Sequence, residues 1–258
     1  MKQKVLGIIP SRFASTRLPG KPLIMLDGKT MVQMVWERVR EVLEEVVVAT
    51  DDERIARNVE QFGGRVILTQ PGHPSGTDRC AEAAGIYNTE ADEPADIILN
   101  IQGDEPFLKS DQLVELIGLF KQEDTQIATL IRPCMASDEI FDPNQPKVVV
   151  DKNFNALYFS RSAIPYNRTK DPEGWMGSGT YYKHIGLYGF RSAILMKLST
   201  LEKTPLEKLE SLEQLRWLEH GYGIRAAVSK YESMSIDTME DLLAARQQGL
   251  IESYTLPG

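Results

Sequence analysis

Val46 to Thr69 reads VVVATDDERIARNVEQFGGRVILT. Val46 to Ala49 is a short β-branched, apolar run, as a buried strand should be. Thr50 to Asp52 offers N-cap side chains for a helix. Gly63-Gly64 stops that helix, and Arg65 to Thr69 returns as a strand. Strand, capped helix, glycine stop and strand together make a βαβ unit, whose strands must lie parallel.

The alternation continues on both sides. Val5 to Ile9 is a strand ended by Pro10. Thr30 to Val42 places Met31, Met34, Val35, Val39 and Val42 at helical spacing, with Thr30 and Gln33 at capping-box spacing. Thr77 to Tyr87 predicts a helix, Ile97 to Ile101 a strand, Asp111 to Gln122 an amphipathic helix and Ile127 to Ile131 a strand. The expectation is an α/β fold: a mostly parallel mixed sheet with helices on both faces. Ligands of such sheets bind at the carboxyl ends of the strands.

The middle breaks the pattern. Lys147 to Val150 and Ala156 to Ser160 read as a hairpin around Asp151-Lys152-Asn153, and Pro165 to Tyr182 as a mobile loop. One α/β domain over residues 1–258 is therefore expected, with a small inserted β lobe at about 133–185. Such insertions serve as structural flaps or dimer contacts. Thr204-Pro205-Leu206-Glu207 then combines an N-cap, a first-turn proline and a capping-box glutamate for a helix running to Gly221. Ile224 to Val228 is a strand and Thr238 to Gln248 a last helix.

A net charge of −8 argues against a general nucleic-acid binder, which needs a basic field. Cys80 and Cys134 are too few for a disulfide framework or a zinc site. No apolar run approaches the ~18 residues of a membrane span, and Met1 to Lys4 leads straight into a strand without a signal-peptide core. The expected location is the cytoplasm.

Chemistry concentrates just after strand ends. PSRFASTRLPGKP, Pro10 to Pro22, holds Arg12, Arg17 and Lys21 in one loop. Backbone N–H groups and three cations suit a phosphate cradle. It is not a Walker A loop, since Ser15 replaces the first glycine and Pro22 the final Ser/Thr, and it lacks G-x-G-x-x-G. Asn100 to Pro106, NIQGDEP, follows another strand, and Asp104 there suits Mg²⁺ or serves as a turn acid. Asp237, in SIDTMED, is a second metal ligand or a helix cap. Ser75, Gly76 and Thr77 stand at a helix start that can bind nucleotide or simply cap. Arg161 offers a fork for a carboxylate. His184, Tyr188, Glu213 and Gln214 can bind sugar hydroxyls, and each alone reads as well as a surface or core residue.

Together these segments resemble the CMP-Kdo synthetase (3-deoxy-manno-octulosonate cytidylyltransferase) family over nearly the whole chain. The landmarks are IPSRFASTRLPGKPL (Ile9 to Leu23), VATD (Val48 to Asp51), SGTDR (Ser75 to Arg79), NIQGDEP, LYFSRSAIP (Leu157 to Pro165), HIGLYGF (His184 to Phe190), LEQLR (Leu212 to Arg216) and DTMEDL (Asp237 to Leu242). The resemblance implies a Rossmann-like nucleotide-diphospho-sugar transferase fold, a homodimer, and CTP plus Kdo giving CMP-Kdo and pyrophosphate with Mg²⁺, for lipopolysaccharide biosynthesis. By that analogy Arg12 and Lys21 bind the triphosphate, and Ser75, Gly76 and Thr77 the nucleotide. Asp104 and Asp237 hold magnesium. Gln102, Arg161, His184, Tyr188, Glu213 and Gln214 surround the acidic sugar. Met239 stands where the family commonly has proline, and Phe190 where tyrosine is frequent; neither removes a ligand. The alternatives are a CMP-sialic acid or amino-Kdo cytidylyltransferase, or a non-catalytic nucleotide sensor on the same fold.

Overall fold

The computed structural model describes residues 3–14, 17–232 and 234–257. Ser15 and Thr16 of the cation loop, and Met1 and Lys2 of the N-terminal lead, lie outside the described residues. The first elements are β1 (Val5–Pro10), β2 (Met25–Leu26), β3 (Lys29–Thr30), α1 (Met31–Arg40), β4 (Glu45–Thr50), α2 (Glu53–Gln61), β5 (Arg65–Leu68), α3 (Gly76–Glu90) and β6 (Ile97–Asn100). Next come α4 (Ser110–Gly118), β7 (Ile127–Pro133), α5 (Ser137–Phe141), β8 (Lys147–Val150), β9 (Ala156–Ser160) and β10 (Tyr182–Arg191). The chain ends with α6 (Ser192–Leu198), α7 (Pro205–Glu210), α8 (Gln214–Glu219), β11 (Ile224–Val228), α9 (Met239–Gln247) and β12 (Tyr254–Thr255).

The chain divides into two compact units. The first holds residues 1–114, 191–199 and 232–258, the second 115–190 and 200–231. The segment expected as an insertion lies within the second unit, which is larger than that segment.

In the first unit, β6, β1, β4 and β5 lie side by side, all parallel. Leu6, Ile8 and Ile9 of β1, Val47 and Val48 of β4, and Ile97 to Leu99 of β6 are fully buried. Such continuous apolar runs mark strands covered on both faces. A Cβ on Gly7 would lie 2.9 Å from Leu43 and 3.0 Å from Val39, so α1 and the turn after it press on that face. Pro10, on the opposite side of the pleat, approaches Gly76 at the start of α3.

Asp52 caps α2 as expected, accepting from the Arg54 N–H at 2.9 Å. The capping box expected at Thr30 and Gln33 does not form. The Thr30 hydroxyl donates instead to Asn58 Oδ1 at 2.7 Å, and the Gln33 amide to Glu37 at 3.1 Å. A partner from the neighbouring helix outcompetes the local bond.

The second unit joins β11 and β7 in parallel, and β10 to β7 antiparallel with a bulge between Ile185 and Tyr188. The β8–β9 hairpin is present. Asp151 organises its turn by accepting from the N–H groups of Asn153 and Asn155, both at 2.8 Å. Pro165 to Tyr181 is a mostly exposed loop anchored at two aromatic residues. Trp175 is only 3% exposed and clusters with Cys134, Ile140 and Tyr181. Its ring stacks on Tyr181 at 5.7 Å, and its N–H donates to the Lys170 carbonyl at 2.9 Å. Tyr182 already belongs to β10. Buried aromatic area outweighs local backbone freedom here.

The single helix expected from Thr204 to Gly221 is two, α7 and α8, separated by Ser211 with a left-handed φ of 52°. The expected capping box is also missing: Thr204 makes no side-chain cap bond. Glu207 is drawn away to Arg216, whose Nε and Nη2 donate to its two oxygens at 2.8 and 2.7 Å. Glu210 accepts from the Ser160 hydroxyl at 2.6 Å and the Arg161 N–H at 2.9 Å, which ties the end of α7 to β9.

Candidate functional site

The first unit carries a cleft of about 300 Å³ at the carboxyl ends of β1 and β6. Arg12, Arg17 and Lys21 line it from the loop after β1, Gln102, Gly103 and Asp104 from the turn after β6, and Ser75, Gly76 and Arg79 from the start of α3. Asp237 closes the remaining side. The cleft thus lies where the strand-end rule places ligands.

Lys21 and Asp104 are 83 positions apart, Lys21 and Asp237 216 apart, yet one ammonium joins all three. Lys21 Nζ donates to Asp104 Oδ2 at 2.5 Å and to Asp237 Oδ1 at 2.9 Å. Arg17 Nη2 adds a contact to the same Asp237 oxygen at 3.1 Å. Three long-range features build this arrangement. The Ile236 N–H donates to the Asp104 carbonyl at 2.8 Å. Leu18 of the cation loop is buried with Ile24, Met31, Ile236 and Leu242, so one apolar cluster pulls the loop and the start of α9 together. A Cβ on Gly103 would sit 3.1 Å from Ser11 Oγ and 3.2 Å from the Pro10 carbonyl, so any larger residue would have to push β1 away by a few tenths of an ångström, and glycine lets the Asp104 turn lie this close.

Asp237 is not the helix cap that its position before Thr238 allowed. Thr238 caps α9, and Asp241 completes a capping box with it. The Asp237 carboxylate is left to the cations. Among the described residues no group of three or more His, Cys, Asp or Glu side chains gathers as a metal cluster. The acidic part of the cleft is the Asp104–Asp237 pair.

Ser75 does cap α3, its oxygen accepting from the Asp78 N–H at 3.1 Å, while also lining the cleft. The cap is formed, and it leaves the serine on the cleft wall. Thr77 is not brought to the cleft: it is 4% exposed, and its oxygen accepts from Asn100 Nδ2 at 3.5 Å. Two contributors went unforeseen. Arg79 is buried between Asp51 at 3.0 Å and Thr69 at 2.6 Å, with its side chain on the cleft wall. His73, bonded to Glu82, lines the cleft beside it. The signal available was the pair of landmarks VATD and SGTDR, to which Asp51 and Arg79 belong.

Of the residues expected around a sugar, Gln102 lines this cleft and the others lie in the second unit. His184 Nε2 is 2.9 Å from Thr129 Oγ1. Because the Thr129 hydroxyl donates to the Leu187 carbonyl at 2.9 Å, its oxygen accepts from Nε2–H, which leaves Nδ1 with the lone pair. The ring meets Phe159 edge-on at 5.1 Å and lies 5.2 Å from Tyr188. Tyr188 packs edge-on against Trp217 at 5.0 Å, and its buried hydroxyl has no protein partner. Burial first, and Glu213 second, push that phenol up. Arg161 turns its guanidinium to backbone: Nε to the Glu210 carbonyl at 2.8 Å, Nη1 to that of Pro143 at 2.9 Å, Nη2 to that of Ser211 at 3.4 Å. It braces the α7–α8 break. Glu213 and Gln214 open α8, with Gln214 buried.

Burial pushes the His184 imidazole down to about 3. An unfolded histidine titrates near 6.5, so on acidification the unfolded chain takes up this proton first. Stability is therefore lost as pH falls from about 6.5 towards 3. Between pH 7 and pH 4.5 the wild type should lose about 2–3 kcal/mol more than His184→Gln, at about 1.4 kcal/mol per pH unit below the unfolded value. Urea titrations at both pH values measure this; equal losses would mean that His184 takes no part in acid sensitivity.

A family model described as cytidylyltransferase matches residues 6–232. A 3-deoxy-manno-octulosonate cytidylyltransferase of Bacteroides thetaiotaomicron is 52% identical, covering 95% of this chain and 97% of the relative. One from Phocaeicola vulgatus with the same name is 51% identical, covering 94% and 96%. Among solved structures, a CMP:2-keto-3-deoxy-manno-octonic acid synthetase complexed with CTP superimposes with a TM-score of 0.86 at 38% identity, covering 96% of this chain and 99% of that one.

Proposed function

The chain belongs to the cytidylyltransferase family, and from that membership we propose that it activates the acidic sugar Kdo with CTP, giving CMP-Kdo and pyrophosphate. The observation that carries the reading is the meeting of Asp104, Asp237 and Lys21 in a cation-lined cleft at the strand ends. Relatives about half identical over nearly their full length carry the same activity in their names.

In the reaction the anomeric hydroxyl oxygen of the sugar bonds to the α-phosphorus of CTP. The bond from that phosphorus to the bridging oxygen breaks, pyrophosphate leaves, and the hydroxyl proton passes to solvent. The protein's work is positioning and charge neutralisation rather than covalent chemistry. Arg12 and Lys21 offset charge on the departing pyrophosphate, with Ser75 and Gly76 at the nucleotide. The neutral His184, with its Nδ1 lone pair, can accept from a sugar hydroxyl, and the unpartnered Tyr188 hydroxyl can donate to one. Glu213 and Gln214 add polar contacts in the second unit.

Two carboxylates that converge on one ammonium can converge on one hard cation. An all-oxygen pair suits Mg²⁺, which takes one or two carboxylates plus phosphate oxygens and water. Asp104 and Asp237 would hold it. Bound there, Mg²⁺ would draw charge from the phosphate oxygens and acidify the attacking hydroxyl. A cytoplasmic homodimer acting in lipopolysaccharide biosynthesis belongs to the same proposal. No helix among the described residues is long and apolar enough to cross a membrane.

The test is pyrophosphate release from CTP and Mg²⁺, with Kdo and sialic acid offered separately and EDTA as control. Release with Kdo alone, abolished by EDTA, is expected. Release with sialic acid alone would replace the sugar, and no release with either would remove the reaction.

A further inference from the structure

Lys21 stands where a divalent cation would stand. Its ammonium lies within hydrogen-bond distance of both carboxylates that would hold metal, at 2.5 and 2.9 Å, and its side chain is only 14% exposed. Arg17 makes a second cation on Asp237. Two carboxylates, one ammonium and one guanidinium sum to zero charge. A divalent cation added alone would bring this cluster to +2, with an ammonium pressed against it in a partly buried site where such repulsion is poorly screened. A nucleoside triphosphate arriving with the metal removes that excess and offers the ammonium a new anion.

The backbone under Lys21 is fixed. Gly20 precedes it in a left-handed conformation with φ of 67°, where a Cβ would lie 2.6 Å from Pro257 and 3.1 Å from the Phe13 ring. The Gly20 N–H donates to the Phe13 carbonyl at 3.1 Å, and the Lys21 N–H to that of Leu18 at 3.2 Å. Pro22 follows. The four-carbon stem is left as the part that moves, and lysine is a compact point charge on a flexible stem.

We propose that Lys21 is a displaceable counter-ion. Its ammonium holds the Asp104–Asp237 pair together, and it is handed to the phosphates when a divalent cation takes the pair, so that metal and triphosphate bind as a coupled set. The proposal rests on the reading that this cleft takes CTP with a divalent cation. It adds a thermodynamic consequence: Lys21 weakens metal binding alone and strengthens metal binding with nucleotide, and the coupling is reciprocal.

The experiment titrates Mn²⁺ into wild type and Lys21→Met, reading free Mn²⁺ by electron paramagnetic resonance, without and with CTP and with no sugar present. Without nucleotide the variant should bind Mn²⁺ about tenfold more tightly than wild type. The strengthening produced by CTP should be smaller in the variant. Equal or weaker Mn²⁺ binding by a folded Lys21→Met protein would overturn the proposal. Should that variant not fold, amine labelling of wild-type Lys21 read by mass spectrometry decides. Labelling should rise with saturating Mg²⁺ alone and fall again when CTP is added, and unchanged labelling overturns the proposal equally. Pyrophosphate release by wild type, run alongside, tests the underlying reading separately. Release without the change in metal affinity would sink the hand-off and leave the activity standing.

Discussion

Asp104→Asn should lower turnover about a thousandfold, roughly 4 kcal/mol of transition-state stabilisation, while the protein stays folded. The side chain is 24% exposed and asparagine has nearly the same shape, so little packing changes. The backbone tie that places this turn, from the Ile236 N–H to the Asp104 carbonyl, does not involve the carboxylate. Nor does the close approach of Gly103 to Ser11. What disappears is one of the two negative charges on which Lys21 converges, and with it half of the oxygen pair proposed for Mg²⁺. Steady-state pyrophosphate release measures the loss, with circular dichroism reporting the fold. Turnover near wild type would take Asp104 out of the chemistry.

Glu207→Ala should destabilise the protein by about 3–5 kcal/mol, because it removes the bidentate carboxylate from a buried cation. Arg216 is 4% exposed and Glu207 7%, and their bidentate pair is the chief compensation for taking that guanidinium out of water. The Leu201 carbonyl at 3.3 Å and Glu213 at 3.5 Å are longer and weaker partners. The melting temperature should fall by on the order of 10 °C. Glu207→Ala combined with Arg216→Leu should recover part of the loss, since the buried guanidinium is then removed together with its carboxylate. A cost below about 1 kcal/mol for the single variant would show that Glu213 takes over the missing charge or that water enters to solvate the guanidinium. The pair also orients α8, so KM for the sugar should rise more than KM for CTP, given the proposed contacts of Glu213 and Gln214 at the start of α8.

The misread elements share one cause. Thr30 with Gln33, and Thr204 with Glu207, each have capping-box spacing, yet neither box forms. Asn58 takes the first threonine's hydroxyl and Arg216 takes the glutamate. Thr238 with Asp241 has the same spacing and does form the box, because among the described residues the hydrogen bonds of Asp241 are all local. Spacing states what a side chain can do locally. A cap is worth about 1 kcal/mol, less than the roughly 3–5 kcal/mol that taking Glu207 from the buried Arg216 would cost. In the Pro165 to Tyr182 segment, glycine and proline content describes backbone freedom and gives no sign of the burial of Trp175.

The sequence alone determined the alternation of buried strands and amphipathic helices, the cation loop after β1, the acidic turn after β6 and the family to which they point. These are legible because periodicity, caps and strand-end loops act over a few residues. Tertiary structure alone decided that Asp104 and Asp237, 133 positions apart, share one ammonium, that Arg79 reaches the cleft pinned by Asp51, and that Arg161 braces backbone carbonyls. Each of these depends on a chain crossing, a hydrogen bond such as that from Ile236 to Asp104, or a common apolar cluster such as that of Leu18 and Leu242. Contacts of that kind form only when distant segments collapse onto one core, and no local pattern encodes them.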